Sequence, residues 1–399
     1  AIRIGIPTPF LSTMIAIMSD TVAARPEPTG NPGSYLTWDV LMMGGLSIIV
    51  CLGAWAFMDK TTSVYTVATL AFALAFLVNH PHFLASYMLL YGDFGKDVLR
   101  KPRYIWAGVA VPVLLGSWLV SCLITRNATH LGYGVSAMFF FVGWHYVKQV
   151  FGCLIVTSVQ RKIFYKPWER RLMLFSLFSI WAMSWIRSNA GGNPEPFYGV
   201  PHHSLHLWEG IVTWAYIMVG LSFVAVLVMH VNKYIEEGVK PSPPGVAAVL
   251  SLYVWFIPTF EHPGFALLIP LFHSLQYLAF VWLLKRRQVG QASLGLEPRE
   301  GRAVWVKRFG GFMFLAFALG ALSFEFVPKA LDSRGWFAGG DMGVEPFIVV
   351  FNLFINIHHY FIDNVIWRSD NETVRQYLFQ TSARKEPAPR PPEGVPVRV

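Results

Sequence analysis

Blocks of about 18 to 28 mostly apolar residues recur along this chain, separated by short polar connections. Wound as helices at about 1.5 Å per residue, blocks of that length reach across a hydrocarbon layer about 30 Å thick. In lipid only helices and closed barrels satisfy their own backbone groups, and a barrel would need short segments of strict alternation that the chain lacks. The expected fold is therefore all-α, a polytopic transmembrane helical bundle of about ten spans. The candidate spans fall at residues 36–57, 64–90, 105–123, 132–156, 172–186, 207–230, 246–260, 265–284, 312–326 and 346–367, of which 172–186, 246–260 and 312–326 are short at 15 residues. Composition points the same way: 54% of the 399 residues are hydrophobic and 14% charged, too little polar surface for a water-soluble globule of this size.

The formal charge of +9 is spread in short clusters beside the apolar blocks, a pattern of membrane topology rather than of nucleic-acid binding. Lys96, Arg100, Lys101 and Arg103 lie in the second connection. Arg161, Lys162, Lys166, Arg170 and Arg171 lie in the fourth, and Lys285, Arg286, Arg287, Arg299, Arg302, Lys307 and Arg308 in the eighth. The odd connections carry only scattered basic residues such as Lys60, Arg126 and Arg187. By the positive-inside rule the even connections and both termini are cytoplasmic, in a multi-pass protein of the cytoplasmic (inner) membrane. Residues 1–35 read as an interfacial segment, with an apolar run near Phe10 to Met18 too short to span. Residues 36–368 form the helical domain, and 369–399 a cytoplasmic tail, disordered where proline and arginine dominate from Glu386 to Val399. Cys51, Cys122 and Cys153 sit within apolar blocks without a CxxC pair and read as buried free thiols.

Histidine placement carries the functional signal. Of the twelve histidines, His80, His82, His145, His273, His358 and His359 fall inside spans two, four, eight and ten. All four spans run inward from the outer face in this topology, and counting rise per residue brings the six imidazoles to related depths. Polar groups in hydrocarbon are costly and mark function, which makes these six candidate metal ligands. Gln149 follows His145 by four residues, Gln276 follows His273 by three and Asp363 follows His359 by four. Those spacings share a helical face, where an oxygen could take the second imidazole proton of a bound ligand, so Asp363, Gln149 and Gln276 are candidate members of the reacting site. In Asn79-His80-Pro81-His82, Pro81 interrupts regular helix and is expected to let both imidazoles turn to one cavity.

A second candidate metal site lies toward the outer face, where His202, His203 and His206 are followed by Glu209. If that stretch is helical, His202, His206 and Glu209 share one face; a polar helix entrance with capping roles is the competing reading. Glu261 and His262 precede span eight in a similar way, while His130 and His230 read as interfacial.

Several neutral imidazoles with a carboxylate suit iron, copper or zinc rather than calcium or magnesium. The expected cofactor is non-haem iron, one ion or two, with haem or copper as alternatives. The expected activity is oxygenase, hydroxylase or desaturase chemistry on a lipid or isoprenoid. Membrane lipid, a hydrophobic small-molecule substrate and an electron-donor protein are the implied partners, and no nucleic acid. Two other readings use the same residues: a b-type haem protein passing electrons, and a non-enzymatic subunit of a larger membrane complex or a transport element.

The strings NHPHF, HHSLH and NIHHYFID, with their dense histidines, resemble the histidine boxes of membrane fatty-acid desaturases and hydroxylases. Gly199-Val200-Pro201-His202 is similar to the G-x-P-H element of Brp/Blh-type β-carotene dioxygenases, although His203 stands where that pattern has glycine and His206-Leu207 where it has Asp-His. The resemblance covers a few short strings. It implies a polytopic membrane enzyme with histidine-bound iron and oxygen chemistry on a hydrophobic substrate.

Overall fold

A computed structural model describes residues 37–57, 63–192, 195–257, 266–368 and 370–379. The described residues are helical, without a β-strand beyond one isolated bridge between Phe197 and Val200. The N-terminal interfacial segment, the tail from Glu386, and Glu261 with His262 lie outside them.

Among the described residues seven helices are long and apolar enough to cross a membrane: α1 (Thr37–Ala56), α2 (Thr69–Asp93), α3 (Pro102–Ile124), α4 (Ala128–Gln160), α6 (Gly210–Glu237), α9 (Pro298–Asp332) and α10 (Pro346–Ile366). Three further helices match expected spans without meeting that standard: α5 (Pro167–Asn189), α7 (Pro243–Phe256) and α8 (Ile269–Ala292). Helix α5 begins and ends with charged residues, Glu169, Arg170 and Arg171 at one end and Arg187 at the other. Helix α7 has only 14 residues, and Lys285, Arg286 and Arg287 occupy the last third of α8. Seven crossings thus stand on length and apolarity, against the ten expected.

The exposed surface is what a lipid solvent requires. Helix α6 presents Leu221, Val224, Leu227 and Val228 outward, a face that water would not tolerate and hydrocarbon does. The chain is a multi-pass membrane protein. Helix α10, by contrast, is mostly buried and runs through the interior.

Polar contacts gather the basic connections at one end of the bundle. Lys285 pairs with Asp93 at 2.7 Å, Arg161 with Asp39 at 3.1 Å and Arg103 with Asp370 at 2.6 Å. Residues 370–379, assigned from sequence to the tail, pack on this same end. Val374 and Leu378 are buried, Gln160 donates to the Leu378 carbonyl at 3.2 Å, and Arg287 donates to the Tyr377 carbonyl. At the other end Arg126 donates to the Trp336 carbonyl at 3.0 Å, and the stretch 195–209 lies across the helix ends there. Cys51, Cys122 and Cys153 are buried free thiols.

Two of the four apolar clusters among the described residues border the site. One is built around Tyr146, Val150, Trp255 and Phe272, the other around Phe83, Tyr277, Ile355 and Ile362. A polar layer lies where they meet, with Tyr146 against His273 on one side and Phe83 against His359 on the other.

Candidate metal centre

Each helix in this layer delivers one imidazole, and local geometry decides which. In α2, Pro81 has no N–H to give, and a π turn over Ala75–Asn79 precedes it, closed by His80 N–H reaching back to the Ala75 carbonyl. Turns of this kind recur at functional sites. Helical structure resumes through His80–Met88, so residues two apart point roughly 200° away from each other. His82 turns inward. His80 instead stacks on Phe324 of α9, with ring centroids 4.5 Å apart. Gly320 makes that approach feasible, since a Cβ there would stand 2.9 Å from the His80 carbonyl carbon. Pro81 therefore does not turn both rings to one point: His82 joins the layer and His80 borders the adjoining cavity.

The same rotation separates His358 from His359 on α10. Adjacent residues differ by about 100°, and only His359 faces the layer. His358 points toward α2 and α3. Its Nε2–H donates to the Ala107 carbonyl at 2.8 Å and its Nδ1 accepts from the Tyr87 hydroxyl at 2.9 Å. Both nitrogens are satisfied, leaving no lone pair for a metal.

Four buried imidazoles and one carboxylate converge. His82 Nε2 lies 3.2 Å from His359 Nε2, and His145 Nε2 lies 3.2 Å from His273 Nε2. Asp363 Oδ2 stands 3.3 Å from His359 Nε2 and 3.6 Å from His145 Nε2. Two groups of three ligand atoms result, His82 with His273 and His359, and His145 with His359 and Asp363, each within 4.8 Å. Either could hold a metal ion.

The outer partners of these rings fix their protons. His82 Nδ1 is 2.8 Å from the Asn79 carbonyl, which can only accept, so Nδ1 carries the proton and Nε2 a lone pair. Ser86 gives its single hydroxyl proton to the Phe83 carbonyl at 2.6 Å. Its oxygen, 2.8 Å from His359 Nδ1, must then accept from that nitrogen, and His359 Nε2 also carries a lone pair. Two lone pairs therefore face each other across 3.2 Å in a dry interior, with a carboxylate oxygen beside them. A proton shared among these donors, or a metal ion held by them, relieves the repulsion. Donor chemistry and geometry fit a transition metal.

Against known family models, curated proteins and solved structures, the chain has no match.

Other expected members take different roles. Gln149 donates to the His273 carbonyl at 2.9 Å and to Gln276 Oε1 at 3.2 Å, and Gln276 donates to the Met43 carbonyl at 2.6 Å and to Ser251 at 3.2 Å. The glutamines thus tie α4, α8, α1 and α7 together, with their bonds going to backbone, hydroxyl and amide groups rather than to imidazole nitrogens. Ser86, Ser274, Asn79 and Tyr277 supply the oxygen partners instead, Tyr277 donating to Asp363 Oδ1 at 3.1 Å and Ser274 lying 2.9 Å from His82 Nδ1. Ser86 and Tyr277 stand four residues after His82 and His273, a helical-face signal readable in the sequence had hydroxyls been counted with amides and carboxylates.

The outer group does not assemble as a metal site. Residues 201–207 are not helical, so the His202/His206/Glu209 spacing confers no common face. His206 adopts φ +49° and is exposed, as is Glu209, and among the described residues no group of three ligand atoms forms there. His130 is exposed. His230 is satisfied by the Val226 carbonyl at 2.9 Å and Tyr165 at 3.3 Å.

A cavity of about 1290 Å³ reaches the layer at His273, Tyr146 and Tyr360. Phe72, Phe139, Phe140, Trp181, Trp185 and Phe256 give it a largely aromatic wall. His273 Nδ1, buried without a partner, belongs to the one central imidazole that also lines this space.

Proposed function

We propose that this protein is an integral-membrane, non-haem iron enzyme of the oxygenase, hydroxylase or desaturase class, acting on a lipid or isoprenoid held in the aromatic cavity. The observation that carries the reading is the convergence of four buried imidazoles, His82, His145, His273 and His359, with the Asp363 carboxylate. His82, His145, His273, His359 and Asp363 would hold the ion. An imidazole nitrogen has one lone pair, so the two ligand groups sharing His359 compete for it, favouring a single ion over two. Four imidazoles and a carboxylate in two overlapping groups of three exceed the two axial positions of a haem iron, which favours a bare ion over porphyrin. Iron so held supplies oxygen activation.

The protein's own residues do the rest. Asn79 and Ser86 hold the Nδ1 protons of His82 and His359, keeping the facing nitrogens basic and the rings aligned. Tyr277 fixes Asp363, leaving its second oxygen toward the histidines. The aromatic wall excludes water and takes up an apolar chain, and His273 brings the centre to its edge. The gathered basic end faces the cytoplasm of the inner membrane, with ten crossings in all, where it suits an acidic electron-donor protein.

Metal analysis of protein purified in detergent without chelators, together with an optical spectrum, tests this. About one iron per chain without a Soret band is the expected result. Protein that carries no transition metal and takes up none when offered would overturn it, and a Soret band would replace it with the haem reading.

A further inference from the structure

The outer stretch that fails as a metal site closes the far end of the cavity. Its backbone is clamped onto α4 and α5: Ser136 on α4 exchanges hydrogen bonds with the N–H and carbonyl of His203 at 3.3 and 3.2 Å, and Leu207 N–H donates to the Asn189 carbonyl at 2.7 Å. Gly132 lets the chain lie this close, because a Cβ there would collide with the Pro201 carbonyl oxygen. So fixed, His202 and His203 both border the cavity. Each has a buried nitrogen without a partner in the protein, Nδ1 of His202 and Nε2 of His203. A buried polar atom left so is destabilising, and the clamped backbone holds this segment against the cavity.

Their height relative to the metal centre is readable from α4. The His202 ring rests on Phe139 and the His203 ring on Tyr133, which precede His145 by six and twelve residues. At about 1.5 Å per residue these positions stand roughly 9 and 18 Å from the His145 level along the helix axis. Between the two levels the wall is aromatic.

Resting on the function proposed above, we infer that His202 and His203 bind an uncharged hydroxyl or carbonyl group at one end of an elongated apolar substrate, holding a point on the order of ten bonds down its chain at the metal centre. A neutral imidazole can donate to or accept from such a group, so either ring offers it a partner. Burial and the neighbouring His203 hold the His202 imidazole below its ordinary value, keeping it neutral. An anionic end group is disfavoured, because the lining contains Glu325 and neither lysine nor arginine.

The test is equilibrium binding of hexadecanol and of hexadecane to the full chain in detergent, with metal content measured on the same preparations. Wild type is expected to bind the alcohol several-fold to about tenfold more tightly than the alkane, the worth of one or two neutral hydrogen bonds. His202→Leu combined with His203→Leu is expected to erase that preference while alkane binding and metal content persist, and His202→Asn with His203→Gln to retain part of it. Equal binding of the two probes by wild type, or a preference that survives the double leucine substitution, would overturn the inference. Metal content reports separately on the centre, so its absence would count against the enzyme reading and leave the end-group measurement to stand on its own.

Discussion

The central layer and the outer stretch hold similar numbers of histidines and come to opposite ends. In the centre, His82, His145, His273 and His359 arrive from four helices, each aimed by a rigid backbone, and their nitrogens meet within a few ångströms. In the outer stretch, His202, His203 and His206 follow one another on a non-helical segment and disperse, two toward the cavity and one to the exterior. Convergence of ligands thus comes from separate, packed elements rather than from density along the chain. A metal centre needs several lone pairs at one point, and neighbours on one irregular segment seldom supply that.

The contrast can be broken by substitution. The largest effect is expected from His359→Ala, which removes the imidazole common to both ligand groups. Metal analysis should show a loss of affinity exceeding the roughly 10 to 100-fold that follows removal of an outer-shell partner. Full metal retention in folded protein would remove His359 from the centre. Ser86→Ala should produce the outer-shell effect itself, about 10 to 100-fold weaker metal binding in a chelator competition, by freeing His359 Nδ1. An unchanged competition curve would mean the proton assignment on His359 is wrong. The smallest effect belongs to the outer stretch: His206→Ala, at an exposed position, should leave metal content unaltered and thermal stability within about 0.5 kcal/mol. If it lost metal, the distinction between the two regions would collapse.

How far the centre was legible depended on which rule each residue obeyed. Rise per residue puts His145, His273 and His359 near mid-membrane and His82 deeper, near enough for one layer, because long helices keep that rise. His358 and His359 could not share a target for the same reason, the rotation of about 100° between neighbours, and a strict reading of α10 would have kept only one. His80 was misjudged by treating Pro81 as a break: the helix absorbs the missing N–H in a π turn and continues, so residues two apart remain on opposite sides. Gln149 and Gln276 were chosen because they lie within a turn of a histidine, yet amides in an apolar interior seek any available carbonyl, and those of α8 and α1 were closer at hand. The outer HxxxH spacing presumed a helix that Pro201 and the positive φ of His206 do not continue.

By itself the sequence determined that the chain is helical, that it crosses a membrane several times, and which apolar segments carry histidine. These depend on run length and hydropathy, which are local properties fixed by the solvent the chain must enter. Tertiary packing alone decided which imidazoles face one another, that Ser86 and Asn79 hold their outer protons, that residues 370–379 dock on the basic end, and that a cavity joins His273 to His202. Rotation of each helix about its axis is set by contacts with its neighbours, and a pattern read along one strand of chain contains no term for the others.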